Sequence, residues 1–330
     1  MNRILADADT PISERDAAWF EELADAVDRG RAGMIARPGD SYWLRLLVAP
    51  VCDTALSLIS LVEARQPGDS FECEAAVRRL LKPARSPDAS ETATALVALR
   101  RSGHAVREAC GATVHDGINR LLESQNRDGG WAASVGDGRR NPSCPAVTAR
   151  VLEALGCFGF RPGQPPVDDA MEFIFARQEE SGAWLALGGG NALSTTWQVL
   201  AGLHAAGFDM TAIVVRRAVR WLKESQNADG GWGESEKSAV PPTAWAMLGL
   251  LATGEAGSAE VRAGAEFLVG TQRADGAWTG ASHFPLMALA RYASAVLPVQ
   301  NGGSRTGYRL DSGHPAPVPK EAGIHAPTDS

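Results

Sequence analysis

The chain has 330 residues and a net charge of −7 at neutral pH, with 45% hydrophobic and 22% charged residues. That balance fits a globular protein and speaks against nucleic acid or an anionic membrane surface as partner. No apolar run approaches the roughly 20 residues that span a bilayer.

Met1–Thr10 has no basic start followed by an apolar core, so no secretory leader is expected. Cys52, Cys73, Cys110, Cys144 and Cys157 form no C-x-x-C pair. An odd, unpaired set suits reduced thiols, and a cytoplasmic location is expected.

Ser13–Arg29 carries Trp19, Phe20, Leu23 and Val27 on one stripe, which predicts an amphipathic helix. Beyond it two elements alternate. The first is a leucine- and alanine-rich segment entered mostly through Thr or Ala. Its six copies are 53–61, 91–99, 147–155, 195–203, 242–250 and 284–289. They are apolar on most faces, so burial all round is predicted.

The second element is a turn. Gln125-Asn-Arg-Asp-Gly-Gly-Trp131, Gln178-Glu-Glu-Ser-Gly-Ala-Trp184, Gln226-Asn-Ala-Asp-Gly-Gly-Trp232 and Gln272-Arg-Ala-Asp-Gly-Ala-Trp278 recur at intervals of 53, 48 and 46 residues. An amphipathic helix precedes each. Before Gln226, Val215, Ala218, Val219 and Leu222 share a stripe opposite Arg216, Arg220 and Lys223. The glycines suit positive φ angles in a tight turn. The Gln amide is expected to bond a neighbouring helix end while the indole packs beside it.

One helical hairpin cannot bury its own apolar face, but a ring of six can. The predicted fold is therefore all-α: an (α/α)6 toroid of six helical hairpins, inner helices parallel around a central cavity. The sixth outer helix is missing after Phe284, and Ser13–Arg29 is the candidate to close the ring. The expected organisation is an N-terminal segment 1–40 with that helix, a toroid over 41–295 and a disordered tail over 296–330.

The turns resemble the QW motifs of squalene–hopene cyclases and other class II terpene cyclases. The stretches 230–235, 242–255 and 284–292 look like the closing third of those enzymes, and 50–55 and 197–203 fit the same alignment. The resemblance runs from about Tyr42 to Ala293 and covers the acid-bearing C-terminal domain of that family. It implies a hydrophobic cavity for isoprenoid chains and an acid that protonates an alkene or epoxide. In the family that acid is the middle carboxylate of an Asp-x-Asp-Asp motif opening the second inner helix. Here the matching stretch reads Asp88, Ala89, Ser90, Glu91. Ser90 stands where the acid stands, and a serine cannot protonate an alkene.

Asp88 or Glu91 is the candidate to take over the acid's role. The competing reading is a capping box, with Asp88 as N-cap and Glu91 three residues on. Asp53 opens the first inner helix at the same rim, as a cap or as a third catalytic candidate. Cys52, Ser90, Asn191, Trp197, Trp245, His283 and Phe284 are expected to line the substrate pocket. Cys52 stands where the family usually has Trp, His283 where it has Tyr, and Leu185–Ser194 carries no aromatic residue. A pocket less aromatic and more polar than the family's is implied.

Two metal patterns bear on the chemistry. Asp168-Asp169-Ala-Met-Glu172 matches an Asp-Asp-x-x-Glu magnesium pattern, but it opens an outer helix, where acidic residues complement the helix dipole. No Asp-x-Cys with a later His suggests zinc. No metal and no cofactor are expected.

The function expected is a diverged class II-type cyclase or isomerase acting on an isoprenoid or prenylated substrate. The alternatives are a non-catalytic toroid that binds a terpenoid or partner protein, and a different acid–base reaction in the same cavity. The family's second toroid is expected to be absent. Its loss predicts a homo-oligomer covering the pocket mouth, or an exposed apolar patch there.

Overall fold

A computed structural model describes residues 14–35, 50–82, 88–132, 141–185, 190–234 and 236–297. The tail expected beyond residue 297 and the segment 36–49 lie outside the described residues. Twelve α-helices make up nearly all of the regular secondary structure among the described residues.

The inner helices are α2 (Val51–Glu63), α4 (Ala89–Arg101), α6 (Pro145–Cys157), α8 (Ala192–Ala206), α10 (Val240–Ala252) and α12 (His283–Val296). Each contains one of the six apolar copies. The outer helices are α1 (Glu14–Ile35), α3 (Phe71–Leu80), α5 (Glu108–Glu123), α7 (Pro165–Phe175), α9 (Ile213–Glu224) and α11 (Ala259–Gly270). Each inner helix packs on the next, and α12 packs back on α2, so the inner ring is closed. A returning outer helix separates successive inner helices, so the six inner helices run the same way. The toroid predicted from the repeats is the fold observed.

Burial follows the sequence patterns. In α10, ten of the thirteen residues are buried, in keeping with an element packed on all sides. In α9 only Val215, Ala218 and Leu222 are buried, on the stripe read from the sequence, while Arg216 and Arg220 are exposed.

The Gln…Trp turns are clamps. The indole Nε1 of Trp131, Trp184, Trp232 and Trp278 donates to Leu121, Ile174, Leu222 and Leu268 carbonyls at 2.7–2.8 Å, gripping the end of the preceding outer helix. The backbone N–H of Trp131, Trp184 and Trp232 donates to Oγ1 of Thr148, Thr196 and Thr243 on the following inner helix at 2.9–3.1 Å. The Gln amides of residues 125, 178 and 226 donate to carbonyls of Pro166, Val214 and Glu260, each the second residue of the next outer helix. One turn thus joins two outer helices and one inner helix.

Helix α1 closes the ring, as its stripe suggests. Trp19, Leu23, Ala26 and Met34 are buried and Phe20 and Val27 pack beside them. The clamp of the last turn lands mid-helix, because Gln272 Nε2 donates to Ala26 O at 2.9 Å. Residues 14–24 therefore extend beyond the point where the other outer helices start. The glycine of this turn, Gly276, has φ +77°, and a Cβ there would strike the Arg29 carbonyl.

Candidate active site in the toroid lumen

The first turns of the inner helices form one rim of the lumen. Asp88 is the N-cap of α4, and its Oδ1 accepts the Glu91 N–H at 2.7 Å. This is the Asp88 half of the capping box read from the sequence. Asp53, in the first turn of α2, is exposed. Ser90 and Glu91 are half-buried, and the Ser90 carbonyl accepts the Thr94 hydroxyl at 2.7 Å. Asn191 caps α8, its Oδ1 accepting the Leu193 N–H at 2.9 Å.

Cys52 on the neighbouring helix α2 lies beside this group. Its thiol lies 3.9 Å from Thr94 Oγ1. Burial pushes the thiol up, the Thr94 contact and the Arg150 charge oppose that, and Glu91 and Asp88 add to it. Groups on α2, α4 and α6 therefore act on one point at the rim.

A second cluster lies on the opposite wall. The Trp197 and Trp245 rings meet the Phe284 ring nearly edge-on, with centroids 6.2 and 5.6 Å away, and the His283 ring lies 4.2 Å from it at an interplanar angle of 60°. Because α8 and α12 are not neighbours in the ring, the Trp197–Phe284 contact faces the lumen. His283 is buried, and desolvation lowers its pKa to about 4, so the ring is neutral at physiological pH. Trp197 Nε1, Trp245 Nε1 and His283 Nε2 are buried without a hydrogen-bond partner. Of the expected pocket residues, Trp197, Trp245, His283 and Phe284 are brought together here; Cys52 and Ser90 stay at the rim near α4.

Five charged side chains that the motif reading did not single out cross the lumen. Arg101 donates to Glu63 Oε1 at 2.5 Å and to Glu153 Oε1 at 2.6 Å. Arg150 donates to Glu153 Oε2 at 2.6 Å, and Arg291 makes a bidentate pair with Glu63 at 2.8 and 2.9 Å. Burial pushes the Glu153 carboxyl up, but Arg150, Arg101 and Arg291 outweigh it and hold the group below the ordinary range. Arg291 sits on α12, opposite Glu153 on α6, so its influence reaches across the ring. His204 on α8 is kept neutral by burial and by Arg101 and Arg291. The signal in the sequence was a set of charges inside otherwise apolar helices.

Among the described residues no cluster could hold a metal ion. Asp168 instead uses its Oδ1 to accept the Gly163 N–H at 2.9 Å, tying down the turn before α7. No helix of the described residues is long and apolar enough to cross a membrane.

A sequence profile described as the squalene-hopene cyclase C-terminal domain matches residues 83–294. The chain belongs to that family. It is 31% identical over 255 residues to a probable squalene–hopene cyclase of Sinorhizobium fredii, and 28% identical over 255 residues to the squalene–hopene cyclase of Zymomonas mobilis. Each alignment takes in 62% of this chain and 39% of the relative, so the chain spans about two fifths of their length. A type II terpene cyclase, MstE from Scytonema, in complex with geranylgeranyl dihydroxybenzoate, superposes with a TM-score of 0.62 at 14% identity. The superposition covers 85% of this chain and all of that one, and at this identity it speaks for the fold.

Position 90 carries Ser, the half-buried Asp88 uses its Oδ1 for a helix cap, and Glu91 is half-buried as well. The aromatic wall is made by Trp197, Trp245 and Phe284, and paired charges lie between α2, α4, α6 and α12.

Proposed function

We propose that the protein is a diverged class II-type terpene cyclase that binds an isoprenoid-derived chain in its lumen and transforms it by acid-initiated cyclisation or isomerisation. The observation that carries this reading is Glu91, the half-buried carboxyl one residue from the family's acid position. Asp88 is a weaker candidate because its Oδ1 serves the helix cap. Asp53 is weaker again because it is exposed. In this reading the Glu91 carboxyl delivers its proton to an alkene carbon. The resulting cation is then attacked by a neighbouring double bond or loses a proton. The faces of Trp197, Trp245 and Phe284 offer electrostatic stabilisation to that cation. No cofactor is needed for such chemistry.

The second reading is a terpenoid-binding toroid without catalysis. Ser90 at the acid position favours it.

The test is incubation of the purified protein with polyprenyl diphosphates, squalene and prenylated aromatics, beside Glu91→Gln and Asp88→Asn. Product formation that is lost in Glu91→Gln and survives in Asp88→Asn supports the proposal. Product formation that survives in Glu91→Gln removes Glu91 from it. Saturable thermal stabilisation without turnover supports the binding reading.

A further inference from the structure

We infer that the lumen holds a subsite for a single carboxylate, centred on Arg150, so that the substrate is an isoprenoid acid rather than a neutral hydrocarbon. This rests on the isoprenoid reading above, though not on the role of Glu91.

The first argument is charge. The described lumen network contains three guanidiniums (Arg101, Arg150, Arg291) and two carboxylates (Glu63, Glu153). Both carboxylates are shared, Glu63 between Arg101 and Arg291, Glu153 between Arg101 and Arg150. One positive charge is therefore in excess. Arg cannot shed its proton to relieve this, and an uncompensated buried charge is costly. Of the three, Arg150 has the fewest carboxylate contacts: NH1 meets Glu153 Oε2, and the guanidinium otherwise lies 5.0 Å from the Trp197 ring centre. It is only 6% exposed.

The second argument is position. Arg150, Trp197 and Trp245 are each the sixth residue of three successive inner helices, so they share one level of the lumen. The Arg150 guanidinium lies 5.0 Å from the centre of the Trp197 ring, which itself meets Phe284 across the lumen. A ligand carboxylate at this level would supply the missing negative charge.

The third argument is the unmatched polar atoms. Trp197 Nε1, Trp245 Nε1 and His283 Nε2 are buried and unpartnered around Phe284, and of the three rings Trp197 is the one seen against the Arg150 guanidinium. A hydrocarbon would leave all three so. A carboxylate brings acceptors for the two indole donors after small ring adjustments, and the His283 tautomer can supply a third donor. His283 itself is held neutral and adds no charge to the balance. The excess is one unit, so a monoanion matches it better than a diphosphate.

The test compares geranylgeranoic acid, its methyl ester and geranylgeranyl diphosphate in binding titrations on the wild type and Arg150→Met. The acid is expected to bind the wild type about tenfold or more tighter than the ester, the range of a charge-assisted hydrogen bond. In Arg150→Met that preference of acid over ester should vanish. Equal binding of acid and ester to the wild type overturns the subsite and leaves the isoprenoid reading standing. So does a preference that persists in Arg150→Met. Tighter binding of the diphosphate overturns the choice of a monoanion. Failure of all three ligands to bind removes the isoprenoid reading and the inference together. Should Arg150→Met fail to fold, geranylgeranoic acid labelled with carbon-13 at the carboxyl serves on the wild type. On a guanidinium the bound carboxyl stays ionised below its free pKa, and a raised pKa on binding overturns the proposal.

Discussion

Arg291 on the last inner helix grips Glu63 on the first through two parallel hydrogen bonds of 2.8 and 2.9 Å. The pair joins residues 228 positions apart and closes the ring from inside, as the α1 clamp closes it from outside. Both side chains are about one-tenth exposed, so the pair is largely sheltered from water. Removing one partner of such a pair costs about 3–5 kcal/mol because the other charge stays buried. Glu63 keeps Arg101, so Arg291→Met should fall near the lower end, about 3 kcal/mol. Urea unfolding monitored by circular dichroism measures it. Arg291→Lys should recover only part, since it loses the fork.

His283 gives the fold a defined acid response. The folded pKa of about 4 lies below the unfolded value of about 6.5. Between these values the unfolded chain binds the proton and the folded protein does not. This contribution to stability is therefore full above about pH 6.5, falls as the pH drops towards 4, and levels off below that. Replacing the ring by Phe should flatten the stability profile between pH 4 and 6.5 relative to wild type. Thermal melts across that window check the slope; an unchanged slope would show that His283 is solvated.

Thr243 offers a test of the turn clamp. Its Oγ1 accepts the Trp232 N–H at 2.9 Å and it is fully buried. Thr243→Val keeps the shape and leaves that N–H unsatisfied, which should cost about 1–3 kcal/mol. Thr243→Ser should recover most of it. Denaturant midpoints of the three proteins make the comparison.

Gly276→Ala should loosen the ring at one place. The residue has φ +77°, and the added methyl would meet the Arg29 carbonyl of α1. Strain and clash together should exceed about 1 kcal/mol. Limited proteolysis is expected to cut near α1 first, before any other helix is attacked.

The architecture was legible because each of its parts repeats. Gln…Trp spacing, the inner apolar copies and the amphipathic stripe around Val215 each describe one unit, and units stack only one way. The Asp88 cap was legible for a similar reason: its partner Glu91 is three residues away. Glu63, Arg101, Arg150, Glu153 and Arg291 were not legible, because their pairing exists only after the ring has formed. Arg150 and Glu153 sit within a copy read as an apolar inner helix, and nothing local says that Arg101 and Arg291 face the same centre. The Thr–Trp bond was half visible. A Thr recurs in most of the inner helices, yet its acceptor role depends on where the preceding turn lands.

The ring closure has one more consequence. An open stack of hairpins has two ends, each needing a cap, and can fray from either. Here Gln272 reaches Ala26, 246 positions earlier, so every hairpin has a neighbour on both sides. The first helix made must wait for the last before either is fully buried. Contacts this distant slow folding and make it all-or-none. Half a ring should then lose far more than half the stability, and the protein should melt as one unit.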